Sequence, residues 1–470
     1  MRFTKITATI GPATSEPTTL ERLIKSGVAV ARLNFSHGSH ESHEKVINTL
    51  HDIQKRKRVA IMLDTKGPEI RTGDVTQPLM IQKGDEIIFT SKPTGKEKLP
   101  VVKVDYDGLP GDVKQTKVIL IDNGAIEFRV TSIKGDIVTA KALEPGKIGS
   151  RRHINIPGAF VSLPSFTKKD WSDIEFGIKH DVDFIATSFV RTGKDIKELK
   201  NFLKQHKSQI EVIAKIETQQ SLDNLSDIID EADGIMIARG DLGVETPYEE
   251  VPRIQDEIIL ECRKKGKPVI VATHMLESMI QYPMPTRAEV MDIAHAAMGQ
   301  TDCTMLSGET AGGMYPFKCI DAMSKILDAN EKIDCIETML ALDDEMSGHK
   351  TDTRYQQAMS ASMLARNIEA DAIIVITKHG RTARAVSNWR PLMPIFAFTD
   401  SESVARRLML SWAVDPYCIS FSADPEKTVN DALAYAKEQK LIRKDQTVVI
   451  VSDILSGKTA VSSIQIRKVL

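Results

Sequence analysis

The sequence predicts an α/β fold: a TIM (β/α)8 barrel that carries an inserted all-β domain and is followed by a second α/β domain. Three observations predict it. Short β-branched apolar runs alternate with helix-period segments over residues 1–71 and 154–333, the runs number eight, and residues 72–153 change in texture to short strands and tight turns.

The eight runs are Lys5 to Ile10, Val28 to Phe35, Val59 to Leu63, Phe184 to Val190, Glu211 to Ile216, Gly234 to Ala238, Pro268 to Thr273 and Cys303 to Leu306. Helical segments separate them. The first starts near Ser15 and sets Leu20, Leu23 and Ile24 on one face. Thr167 with Asp170, ahead of Trp171, Ile174 and Ile178, has the spacing of a capping box, as does Thr286 with Glu289. A doubly wound sheet uses the same βα units, so periodicity alone does not separate the two folds; the count of eight favours the barrel.

In residues 72–153, turn signals at Gly84-Asp85, Pro110-Gly111-Asp112, Asp122-Asn123-Gly124 and Gly135-Asp136 enclose runs such as Lys117 to Ile121 and Ala125 to Val130. A domain inserted after the C-terminal end of a barrel strand stands over the face where such barrels hold active sites, and can act as a lid. Residues 334–470 form a third domain. After a polar, acidic linker at Leu342 to Asp352, the strands Ala372 to Thr377, Pro394 to Phe398 and Thr447 to Val451 alternate with helical segments.

The chain has 470 residues, about three average domains. With 27% charged and 41% hydrophobic residues and a formal net charge of -2, it has an ordinary globular balance and no excess charge that would select nucleic acid. The five cysteines, Cys262, Cys303, Cys319, Cys335 and Cys418, lie far apart and form no CxxC pair, which fits a reducing compartment. Met1 to Lys5 run into the first strand without an apolar signal core, and no stretch is long enough to span a bilayer. The expectation is a soluble, cytoplasmic protein with no membrane partner.

Strand alternation locates the chemistry. In Ala31 to His37 the polar Arg32, Asn34 and Ser36 share one face, while Leu33 and Phe35 take the other. A wet edge strand would look the same, but parallel barrel strands are covered on both faces, so polar side chains at their C-terminal ends serve a site. In Glu211 to Glu217 the same rule pairs Lys215 with Glu217. A buried ion pair is a weak stabiliser, so a phosphoryl-binding lysine beside a metal-binding carboxylate accounts for them better. In Asp233 to Glu245, Gly240 lets backbone approach a ligand and Asp241 offers a second hard oxygen, so that Glu217 and Asp241 could hold one magnesium ion with water and substrate oxygens.

Together with Leu63 to Arg71 (LDTKGPEIR), the segments ARLNFSHG, IAKIE and DGIMIARGDLGVE, joined by Val271 to Ser278 and Leu306 to Glu309, closely resemble the pyruvate kinase family. The resemblance covers nearly the whole chain and is strongest over the barrel. It implies a glycolytic phosphotransferase that moves the phosphoryl group of phosphoenolpyruvate to ADP, needs Mg2+ (or Mn2+) and K+, and assembles as a homotetramer. Residue by residue, it implies that Lys215 and Arg32 neutralise the phosphoryl group and Glu217 and Asp241 bind the divalent ion. Gly240 and Thr273 would meet the substrate, with Thr273 serving enolate protonation through water. Asn34, Ser36, Asp64 and the Thr65 backbone would hold K+, and Arg71, His37 and Arg152 would meet the nucleotide phosphates.

Three departures stand out: His274 where the family usually has Gln, Arg152 where many members have Lys, and Thr218 to Ser221 in place of a frequent Asn, acidic, Gly pattern. Thr377-Lys-His-Gly-Arg-Thr382 resembles the family's effector loop, with Thr377, Gly380, Arg381 and Thr382 expected to take a phosphorylated effector at a glycine-bearing strand-to-helix turn. Two rival readings explain less. A pyruvate aldolase leaves the lid and the Lys215 and Arg32 pair without a role, and a catalytically dead relative would lack Lys215, Glu217 or Asp241.

Overall fold

The computed structural model describes residues 2–332, 352–456 and 459–470; the expected linker at 342–352 lies, apart from Asp352, outside the described residues. Strands β1 (Lys5–Thr9), β2 (Val30–Asn34), β3 (Ala60–Asp64), β4 (Phe184–Thr187), β5 (Glu211–Ile216), β6 (Gly234–Ala238), β7 (Val269–Ala272) and β8 (Cys303–Leu306) close a barrel. Each is parallel to its chain neighbour, and β1 pairs with β8. Alternation decides what each side chain meets. Ile6, Leu33, Leu63, Ile185, Ala214 and Ile237 point out into the apolar layer beneath the helices. Val30, Met62, Phe184, Ile213, Met236, Ile270 and Met305 point in and fill the barrel, which is a packed core and not a pore. Truncating Phe184, fully buried in that inner layer, to alanine would cost about 3–5 kcal/mol.

Both expected capping boxes are present. The one at Thr167 reaches further than its helix: one oxygen of Asp170 accepts from Thr167 N at 2.8 Å, and the other accepts from Gly67 N at 2.9 Å, so a helix cap also pins the loop that follows β3.

The inserted domain is a seven-stranded sheet with a two-stranded ribbon, closed around Phe89, Ile119, Phe128 and Val138. Its entry strand Ile70–Arg71 pairs antiparallel with its exit strand His153–Asn155, so the two crossings to the barrel lie side by side. Pro110-Gly111-Asp112, expected as a turn, instead lies in the one-turn helix Leu109–Asp112. The proline sits in the first turn, where its missing N–H costs nothing, and the Asp112 carboxylate accepts from the Tyr106 hydroxyl.

In the C-terminal domain, β9 (Ala372–Ile376), β10 (Ile395–Thr399), β11 (Val414–Cys418), β12 (Thr447–Ser456) and β13 (Thr459–Lys468) form one sheet in the order β11-β10-β9-β12-β13. Only β13 is antiparallel to its neighbour. The sequence reading lacked β11, whose Pro416 and Asp415 mask its pattern, and β13.

This domain docks under the amino ends of the barrel strands. Leu410 closes the inner layer from below. Asp302, just before β8, pairs with Arg390 at 2.8 Å and accepts from the backbone N–H groups of Val269 and Trp412. Asp183, just before β4, pairs with Arg406 at 2.7 Å, and Glu211, the first residue of β5, with Arg384 at 2.6 Å.

Candidate active site

Above the apolar inner layer, at the carboxyl end of the strands, the inward positions become polar. A cavity of about 410 Å³ opens there, and its walls include Arg32, Asn34, Ser36, Asp64, Lys215, Glu217 and Asp241. His37, Lys66, Glu69, Arg71 and Arg151 line it as well. The fold therefore brings together most of the residues singled out in the sequence. Thr65 lies in the wall behind the cavity, buried, while Gly240 and Thr273 flank Asp241 on the β6 and β7 side.

Asp64 organises the cations. Its Oδ2 accepts from Arg32 Nε at 2.6 Å and its Oδ1 faces Lys215 Nζ at 3.2 Å, with all three side chains buried. Burial alone would raise the Asp64 carboxyl, but Arg32 and Lys215 outweigh it and hold the group below its ordinary value. Lys215 is held above its ordinary value: burial disfavours its charge, and Asp64 and Glu217 more than restore it. The ammonium therefore stays protonated at any physiological pH.

Glu217 is the least satisfied of these groups. Its Oε2 accepts from Phe189 N at 2.6 Å. Its Oε1 is buried and accepts no hydrogen bond; Lys215 Nζ lies 2.8 Å away, off the angle a hydrogen bond needs. Burial pushes the carboxyl up, against Lys215, and the neighbouring Asp241 charge pushes the same way. Asp241 makes no hydrogen bond or ion pair among the described residues. Two carboxylates that repel each other, one held only by a backbone N–H and the Lys215 ammonium and one with no side-chain partner, fit a divalent cation that keeps its remaining positions for water and substrate. No group of three or more His, Cys, Asp or Glu ligands exists among the described residues.

Thr273 and His274 both have left-handed backbone, with φ of 68° and 53°, an uncommon conformation for a β-branched residue. The turn aims the Thr273 hydroxyl at β6: its oxygen accepts from Gly240 N at 2.7 Å and donates to Ala272 O at 2.6 Å. His274 stays exposed.

Among the nucleotide candidates, Arg71 reaches the cavity with Nε 2.7 Å from Glu69 Oε2, and His37 is exposed at the rim. Arg152 does not line the cavity; it faces Asp122 within the lid at 3.3 Å, and Arg151 lines the cavity in its place. Asn34 Oδ1 accepts from Ser36 N at 3.0 Å.

Sequence reasoning missed Ser188 and Phe189, which touch Lys215, Asp64 and Glu217. The signal was present: Ser188 continues the inward parity of Phe184 and Ala186, as Glu217 continues that of Lys215.

In the C-terminal domain, Gly380 has φ of 77° and caps the helix Arg381–Asn388, and its N–H donates to Thr377 Oγ1. Thr377 and Thr382 are buried, so of the three expected donor side chains only Arg381 is exposed.

A buried lysine and arginine facing two carboxylates, at the carboxyl end of a (β/α)8 barrel that carries an inserted β domain, define a barrel phosphotransferase. Residues 1–320 match the family model of the pyruvate kinase barrel domain, and residues 356–466 that of the pyruvate kinase alpha/beta domain. The chain belongs to the pyruvate kinase family, and its reaction is transfer of the phosphoryl group of phosphoenolpyruvate to ADP, giving pyruvate and ATP.

Among similar proteins, plastidial pyruvate kinase 3 of Arabidopsis thaliana is 42% identical over 474 residues, covering 100% of this chain and 82% of the relative. A pyruvate kinase of Staphylococcus aureus is 40% identical, covering 98% of this chain and 80% of its own length. The crystal structure of a pyruvate kinase from Cryptosporidium parvum superposes with a TM-score of 0.94 at 36% identity, over 100% of this chain and 96% of that one. No helix among the described residues is long and apolar enough to cross a membrane.

Proposed function

We propose that Lys215 and Arg32 carry the charge of the phosphoryl group in transit, that Glu217 and Asp241 hold Mg2+ (or Mn2+), and that Thr273 serves the enolate face. The two close, mutually repelling carboxylates of Glu217 and Asp241 in one cavity wall, the latter with no side-chain partner, carry this reading. A divalent ion there supplies charge neutralisation for substrate oxygens. The protein's part is positioning: Asp64 holds both cations in place before substrate arrives, so little reorganisation remains for the transition state. The Thr273 hydroxyl is too weak an acid to protonate carbon alone and works by orienting a water. The two paired crossings let the lid close over the site and exclude bulk water.

Asn34, Ser36, Asp64 and the Thr65 carbonyl form the K+ site, and Arg71 and His37 take nucleotide phosphates, with Arg152 joining once its side chain exchanges Asp122 for the nucleotide. A phosphorylated effector meets Arg381 and the Gly380 turn, with Thr377 and Thr382 shaping the turn from beneath. A homotetramer working in the cytoplasm completes the reading; the Arabidopsis relative is named as plastidial.

The test is a coupled assay of pyruvate formation from phosphoenolpyruvate and ADP, with Mg2+, with and without K+, and with sugar phosphates or AMP added. Activity that needs Mg2+ and responds to K+ is expected; full activity under chelation would overturn the metal assignment.

A further inference from the structure

Lys215 Nζ has three hydrogens and three neighbours: Asp64 Oδ1 at 3.2 Å, Ser188 Oγ at 2.7 Å and Glu217 Oε1 at 2.8 Å. The first two are hydrogen bonds, and the third fails on angle. A single hydroxyl proton settles the polarity at Ser188. It is donated to the Thr65 carbonyl at 2.7 Å, with Asp64 Oδ1 further off at 3.4 Å, which leaves a lone pair on Oγ for the lysine.

Ser188 cannot drift. It is buried, its own N–H donates to Thr65 Oγ1 at 3.2 Å, and its Cβ packs on Gly67, where a methyl group would come within 2.9 Å of it. Gly67 is held in turn by Asp170. The next residue, Phe189, turns into left-handed backbone with φ of 54° and gives its N–H to Glu217. One dipeptide thus grips the lysine through a side chain and the neighbouring carboxylate through the backbone.

A buried serine needs only one partner to be satisfied, and Thr65 O already provides it. The short contact with Lys215 is additional. We propose that Ser188 is a positioning residue for phosphoryl transfer: with Asp64 it fixes two of the three N–H bonds of Lys215, so that the third points to the phosphoryl group. This rests on the role given to Lys215 above.

The test compares Ser188→Ala with Lys215→Ala and the parent. Three quantities are read: kcat and KM for phosphoenolpyruvate, melting temperature, and Mg2+-dependent exchange of pyruvate methyl protons with solvent, which needs no phosphoryl transfer. For Ser188→Ala, kcat should fall about thirtyfold, which is about 2 kcal/mol at 1.36 kcal/mol per tenfold. KM, melting temperature and proton exchange should stay within about threefold or a few degrees. A kcat within threefold of the parent, or transfer and exchange falling together, overturns the proposal. If Ser188→Ala does not fold, Ser188→Cys keeps the shape with a weaker acceptor and should show the same split. Near-parental activity in Lys215→Ala would instead overturn the reading of Lys215 itself.

Discussion

Lys215 keeps its charge despite burial because two carboxylates face it. Lys215→Ala is therefore expected to lower phosphoryl transfer by at least about a thousandfold, roughly 4 kcal/mol of lost transition-state stabilisation, with the fold intact by circular dichroism. A purified variant within tenfold of the parent would sink that role. Glu69 is tied to Arg71 at 2.6 Å and faces Lys66 at 3.7 Å, so it is a fixed cavity wall and not a solvated loop carboxylate. With Mg2+ saturating, activity should drop steeply when K+ is replaced by tetramethylammonium, and an unchanged rate would count against the K+ site.

At the scale of an element, the strand-to-helix turn at Gly380 shows how a backbone conformation can select a residue. With φ of 77°, the position resists any side chain, and an added Cβ would also press on Leu408 and Val404 at 3.3 Å. Arg381 then opens the helix, and Arg384, one turn on, binds Glu211 at the start of β5, the strand that carries Lys215. The phosphorylated effector is expected to lower the apparent KM for phosphoenolpyruvate. Arg381→Ala combined with Thr382→Ala should abolish that response while the effector-free rate is kept. A double variant that still responded like the parent would place the site elsewhere.

At the scale of the molecule, the barrel and the C-terminal domain are joined by buried charge as well as apolar packing. Asp302 and Arg390 are both buried, and Arg390→Ala would leave the carboxylate without its cation, at a cost of about 3–5 kcal/mol, read as a lowered denaturation midpoint. Lys5 lies on the barrel floor and donates to Val414 O at 2.5 Å. Burial pushes its pKa down to about 8, with Asp415 opposing. An unfolded lysine titrates near 10.4, so between about pH 8 and 10.4 the unfolded chain binds more protons and stability rises with pH; below that window the cost of the buried charge is carried in full. Relative to Lys5→Met, the parent should therefore gain melting temperature between pH 7.5 and pH 9.5. A constant difference would show that Lys5 does not titrate there.

The sequence by itself determined the barrel, the lid and the site strands, because strand alternation and βα punctuation are local properties. Arg32, Lys215 and Glu217 were legible as inward residues from parity alone, and the family motifs supplied their roles. Folding decided what no period-two rule carries. It set the loop after β3 against the loop after β4, which brought Ser188 onto Lys215 and Phe189 N–H onto Glu217. It turned Arg152 to Asp122 and put Arg151 in the cavity wall. It buried the hydroxyls of Thr377 and Thr382, and it paired the acids at the barrel's amino end with arginines from residues more than eighty positions away. Hydrogen bonds and ion pairs across such separations depend on how whole elements pack, and neighbouring residues in the chain carry no record of that geometry.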